Sequence, residues 1–146
     1  MISVKGGVFM KLNHECIRDV LLYLESIPYI SENSDGYIEY QPIFIENLYE
    51  SLPQYTHQDI FYSIFNMEQA GFLDATIQSS DDCIHICCVN FLTYSGHEFL
   101  ESIRDPKRWG LIQRSLPAIR NYSLSAISSI AEGFTSAAIS TLLHNS

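Results

Sequence analysis

Between Arg18 and Arg104 the chain contains no lysine and no arginine. A surface built from that stretch has nothing with which to neutralise phosphate, the interaction on which nucleic-acid affinity largely rests. Residues 11–103 hold Lys11 and Arg18 against fifteen acids, a balance of −13. Residues 104–120 reverse the sign, with Arg104, Lys107, Arg108, Arg114 and Arg120 against Asp105, a balance of +4. The whole chain carries −9. Such asymmetry implies partners of different charge on the two parts, packing of one part on the other, or a solvated acidic surface that aids solubility.

Catalytic signatures are missing as well. The sequence has no G-x-S-x-G, no phosphate-binding loop and no G-x-G-x-x-G. His97-Glu98 opens like a zinc-protease motif, but the second histidine would have to stand at position 101, which is Glu101. The four cysteines, Cys16, Cys83, Cys87 and Cys88, lack C-x-x-C spacing. Cys83, His85 and Cys87 alternate along a strand and so face one way, where they could hold a metal together with Cys16 or another residue. Strand cysteines serve more often as small buried hydrophobes. The expectation is therefore a protein that is not an enzyme, with no catalytic residue, no cofactor and no metal.

No apolar run approaches the roughly 20 residues of a membrane span. Met1–Asn13 lacks the long apolar segment of a signal peptide. Together these predict a cytoplasmic protein with free thiols and no membrane contact. The run Lys5–Met10, "KGGVFM", is what a purine-rich ribosome-binding site followed by a start codon encodes when read as protein. Met10 is then the expected start, residues 1–9 are leader or a flexible arm, and the source is bacterial or phage.

What is present suits a folded domain: 146 residues, 47% of them hydrophobic and 17% charged. Asn13 is a good helix N-cap with Glu15 in the first turn, and Cys16, Ile17, Val20, Leu21, Leu24 and Ile27 recur at helical spacing. "SENSDG" (Ser31–Gly36) reads as a loop, and "YIEY" (Tyr37–Tyr40) as a short strand with its two tyrosines on one face or edge. Pro42 suits the first turn of a helix carrying Ile45, Leu48 and Leu52, which Pro53 ends. Thr56 caps the next, with Ile60, Ile64 and Met67 on one face and Gly71 as C-cap.

Two β-prone runs, Phe72–Gln78 and Cys83–Val89, flank the polar "SSDD" and form a hairpin. Thr93 caps a helix in which Gly96 permits close approach of a neighbour, Phe99, Leu100 and Ile103 point inward, and His97, Glu101 and Arg104 lie outside. "LTYSGHEFLESIRD" (Leu92–Asp105) therefore closes a domain and is not an active site. Pro106 opens a further helix, interrupted by Pro117. In Ser123–Ser146 an apolar stripe of Leu124, Ile127, Ile130, Ala131, Phe134, Ala138 and Leu142 suits packing on the domain or on a second copy in a homodimer.

Three segments, "MKLNHECIRDVLLYLE" (Met10–Glu25), "DIFYSIFNMEQAGFLDA" (Asp59–Ala75) and "LTYSGHEFLESIRDPKRW" (Leu92–Trp109), resemble an uncharacterised family of short proteins from Gram-positive bacteria and their prophages, labelled a domain of unknown function. More distantly, the hairpin followed by "LT..G..FL" is similar to winged-helix proteins of the YjcQ, PadR and MarR kinds. The resemblance covers about residues 10–110. It implies a winged-helix fold and a mobile-element context, and no chemistry.

The expected architecture is thus an α+β winged helix-turn-helix domain over residues 10–105, with a C-terminal helical extension over 106–146. The recognition-helix candidate, Thr56–Ala70, and the wing tip offer a partner Tyr55, His57, Gln58, Asp59, Tyr62, Glu68, Asp81 and Asp82. Acidic and aromatic, this face suits a protein partner with a basic groove, in the sharpest form a host nucleic-acid enzyme or defence nuclease that it inhibits. The alternative is a DNA-binding transcriptional regulator, as the fold suggests by analogy.

Overall fold

The computed structural model describes residues 11–145. The reading of residues 1–9 as leader or arm lies outside the described residues. The chain begins with α1 (His14–Ser26), whose N-cap Asn13 accepts a hydrogen bond from the Cys16 amide. Its buried face is Cys16, Ile17, Val20, Leu21 and Leu24.

The segment read as loop and strand is a hairpin, β1 (Ile30–Glu32) against β2 (Ile38–Tyr40). The loop reading covered the last two residues of β1. The Asn33 side-chain oxygen accepts from the amides of Asp35 and Tyr37, both at 2.9 Å, so the turn is specified by one asparagine. Tyr37 precedes β2, and by strand alternation it does not share the face of Tyr40.

Pro42 does not enter a helix. The chain first makes β3 (Ile43–Phe44), where Ile43 pairs with Val89 and Phe44 with Cys88, and α2 (Ile45–Ser51) starts only afterwards. The arrival of β5 beside this segment supplies the pairing partners that make it a strand. α3 (His57–Gln69) follows, with the Thr56 hydroxyl accepting from the Asp59 amide at 3.0 Å.

Next come β4 (Leu73–Ser80) and β5 (Cys83–Leu92), joined at Asp81 and Asp82, both in the left-handed region with φ of 52° and 62°. Two consecutive positive φ values are what a tight right-twisted hairpin requires, and Asp tolerates them better than most residues. The three-stranded antiparallel sheet has the order β3-β5-β4. Its register skips at two places, leaving His85 and Asn90 of β5 as extra, bulged residues.

α4 (Tyr94–Ile103) is capped by Thr93 and buries Gly96, Phe99, Leu100 and Ile103. α5 (Pro106–Ile119) is capped by Asp105. Pro117 was expected to interrupt it, yet the helix continues to Ile119 and ends at Arg120 with φ of 53°. A proline in the last turn removes only one bond of the ladder, and the buried Ile112 and Leu116 hold the turn in place.

α6 (Leu124–His144) divides in two. Leu124, Ala126, Ile127 and Ala131 join the same core cluster as α1, α3 and α4, with Ile130 and Phe134 packed partly against it. Ala138 and Leu142 are exposed, Leu142 at 70%. With 21 residues, Glu132 as its one acid and no Lys or Arg, α6 is long and apolar enough to cross a membrane by length and composition. The expectation that no run approaches that length is corrected here. Its Ser and Thr residues interrupt the apolar run without making the helix polar on average.

Candidate functional site

The face expected to meet a partner is formed by the outer side of α3 and the tip of the β4–β5 hairpin. Its residues do not act together. Tyr55 is half-buried, and its hydroxyl donates to Asp19 Oδ2 at 2.5 Å. Burial and the adjoining Asp19 carboxylate both push the phenol's pKa up. This tyrosine is a tie between the α2–α3 turn and α1. Asp59 is another tie: its carboxylate accepts from Asn13 Nδ2 at 3.3 Å, joining the N-termini of α1 and α3.

His57, Gln58 and Tyr62 remain accessible to different degrees. The His57 ring stacks on Tyr49 with centroids 3.8 Å apart and planes 3° from parallel, so α2 fixes its direction. Tyr62 is half-buried, and its carbonyl accepts from Asn66 Nδ2. Glu68 is exposed at the far end of α3, roughly 16 Å along the helix from His57 at 1.5 Å per residue. Asp81 and Asp82 are exposed at the hairpin tip.

The fold brings His57 and Gln58 beside residues that sequence reasoning did not assign to the partner face. Ile45, Glu46 and Tyr49 of α2, Phe61 of α3, and Ile84, His85 and Cys87 of β5 line a groove of about 360 Å³ with them. The bulge at His85 creates it. Ile84 pairs with Ser79 and Ile86 with Gln78, so the extra residue puts Ile84 and Cys87 on one face of the sheet. A bulge has no reliable signature in one sequence, which is why this lining was not legible.

The same bulge breaks the strict alternation expected to aim Cys83, His85 and Cys87 the same way. Cys83 is exposed and Cys87 buried. Burial, with smaller contributions from Cys88 and Glu46, pushes the Cys87 thiol up to about 12, so the free thiol is protonated at neutral pH. Among the described residues, no three His, Cys, Asp or Glu side chains lie together as a metal-binding group.

Charge is distributed as the sequence predicts. α2, α3, β4, β5 and the β4–β5 turn carry no Lys or Arg, and they expose Glu46, Glu50, Glu68, Asp81 and Asp82. Arg18 is not available to that face, because its guanidinium donates to the carbonyls of Ile103 (3.0 Å) and Arg104 (2.5 Å), capping α4 from α1. Part of the basic connector packs on the acidic head. Arg104 pairs with Glu25 at 2.5 Å and Glu101 at 3.1 Å, and Trp109 Nε1 donates to Glu15 at 2.8 Å. Lys107 and Arg114 stay exposed on α5, flanking Gly110 and Leu111.

The seven stripe residues of α6 serve two purposes. Leu124, Ile127 and Ala131 are consumed by packing within the chain, and Ile130 and Phe134 are partly covered by it. Ala138 and Leu142 are exposed.

The family model described as hypothetical protein (DUF2513) matches residues 11–117. No curated protein and no solved structure matches the chain.

Proposed function

The chain belongs to the family described as hypothetical protein (DUF2513), and from that premise we propose that it is a winged-helix module that binds another protein and performs no chemistry of its own. Support for that reading comes from the element order helix, three strands, two helices, two strands, helix: with the β1–β2 hairpin taken as an insertion, α3 would be the recognition helix and the β4–β5 hairpin the wing. The setting proposed is the cytoplasm of a Gram-positive bacterium or its prophage. A second copy would pair along the exposed distal half of α6.

One observation carries the protein-binding reading. The surface that a winged helix lays on DNA has no cation from α2 to β5, and the nearby Arg18 is spent on α4. Wing and recognition helix would meet phosphates with Asp81, Asp82 and Glu68, which repels them. The same charges favour a partner with a basic channel, and the sharpest form of the proposal is inhibition of a host nucleic-acid enzyme by occupying that channel. The second reading, a DNA-binding regulator, draws on the exposed Lys107 and Arg114 of α5. Selection of a random duplex library on the full chain at physiological salt separates the two. No enriched sequence is expected. An enriched sequence whose binding is lost on substituting Gln58 or Tyr62 would replace the protein-binding reading with the regulator.

A further inference from the structure

We propose that the β1–β2 hairpin is a second docking surface, made for a basic, extended segment of another protein. The register Ile30 with Tyr40, Ser31 with Glu39 and Glu32 with Ile38 sorts the side chains by face. Ile30, Ile38 and Tyr40 fall on one side together with Glu32, and Ser31 and Glu39 fall on the other. All six strand residues are exposed. On that one face Ile30 is 56% accessible, Ile38 71% and Tyr40 53%, a density of large apolar groups that a solvated hairpin does not need.

The hairpin is built to stand off the body in one conformation. An isolated two-stranded hairpin is marginal, and here Asn33 reinforces it. Its oxygen holds the turn through Asp35 and Tyr37, and its nitrogen donates to Glu39 at 2.8 Å. Each strand has only the other as a neighbour, so both outer edges are open to an added strand. A surface ordered before binding loses little entropy on binding.

Charge selects the occupant. Glu32 lies on the apolar face and Asp35 in the turn that ends it, while Glu39 is on the opposite face, and from Asp19 to Ile103 the chain has no Lys or Arg to balance them. A second copy placed face to face would set Glu32 against its counterpart, like charge on like. A strand alternating Lys or Arg with aliphatic residues would cover Ile38 and Tyr40 and pair with the carboxylates. The surface is separate from the α3 and wing face and stands or falls independently of it.

The test is a displayed random-peptide library selected on the full chain, with the Ile38→Ser/Tyr40→Ser chain as counter-selection. Sequences alternating basic and aliphatic residues are expected. A synthetic peptide of the enriched pattern should bind wild type at least about tenfold more tightly than that variant or Glu32→Gln/Asp35→Asn/Glu39→Gln, and should weaken with added salt. Both variants change exposed residues, and their circular dichroism should match wild type. Enriched peptides that are neutral or acidic, a library with none that distinguishes the two chains, or sedimentation showing self-association lost in Ile38→Ser/Tyr40→Ser would each overturn the proposal. None of these outcomes bears on DNA selection or on the α3 face.

Discussion

The Tyr55 hydroxyl donates to Asp19 Oδ2 across 2.5 Å, tying the turn between α2 and α3 to the middle of α1. A tyrosine at the head of α3 looks like a contact residue, and here it orients that helix. Tyr55→Phe should lower stability by about 1–3 kcal/mol, because Asp19 loses its donor in a partly buried place. Urea denaturation measures it. A change within about 0.5 kcal/mol would return Tyr55 to the exposed surface set.

Gly96 and Gly133 should respond to alanine with opposite signs. A Cβ on Gly96 would lie 1.8 Å from the Phe72 carbonyl oxygen, which is backbone and cannot swing away. Gly96→Ala should therefore cost about 3 kcal/mol or more. At Gly133 in α6 a Cβ meets nothing within 4 Å, and Gly133→Ala should stabilise by roughly 0.5–1 kcal/mol through helix propensity. Thermal melts of the two variants beside wild type check both signs.

Much of this was legible beforehand. The caps Asn13, Thr56 and Thr93, the turn at Asp81-Asp82 and the close approach at Gly96 each depend on a local residue preference that a single sequence displays. Other features depend on long-range pairing. Ile43 and Phe44 become a strand only because Val89 and Cys88 arrive beside them. Ile84 turns toward His57 only because His85 bulges. The acid balance of the candidate face could be counted from the sequence. The removal of Tyr55 and Asp59 from it could not, since both are captured by α1 residues more than forty or thirty positions away.

Alkali should destabilise the fold early. Burial raises Cys16 to about 11 and Cys87 to about 12, from an ordinary 9.0, and also raises Tyr55 above its ordinary 10.0. Each group stays protonated in the folded protein where the unfolded chain has released its proton. The associated stability is fully present below the unfolded pKa values and is lost as pH climbs from about 9 through the folded values. Urea midpoints should fall steeply over that window. Cys87→Ala/Tyr55→Phe should flatten the fall, and an unchanged slope would mean these groups ionise freely in the native state.

α6 should show two kinds of position. Ile127 is 1% accessible, and Ile127→Ala should cost about 2–4 kcal/mol. Leu142 is 70% accessible, and Leu142→Ser should leave the chain's own stability within about 0.5 kcal/mol. If a homodimer forms through the distal half, Leu142→Ser should shift it toward monomer in sedimentation, while an unchanged dimer would place the contact elsewhere.

The central claim is that the α3 and wing face binds protein through its acidity. Affinity capture of the tagged full chain from bacterial lysate, with and without nuclease, tests it when run beside Glu68→Gln/Asp81→Asn/Asp82→Asn. Asparagine tolerates the positive φ at both turn positions, so that variant removes charge and leaves the wing's shape. The expected result is a stoichiometric protein partner that survives nuclease and is lost or much weakened with the variant. Recovery of DNA alone, abolished by nuclease and undiminished by the variant, would contradict the account.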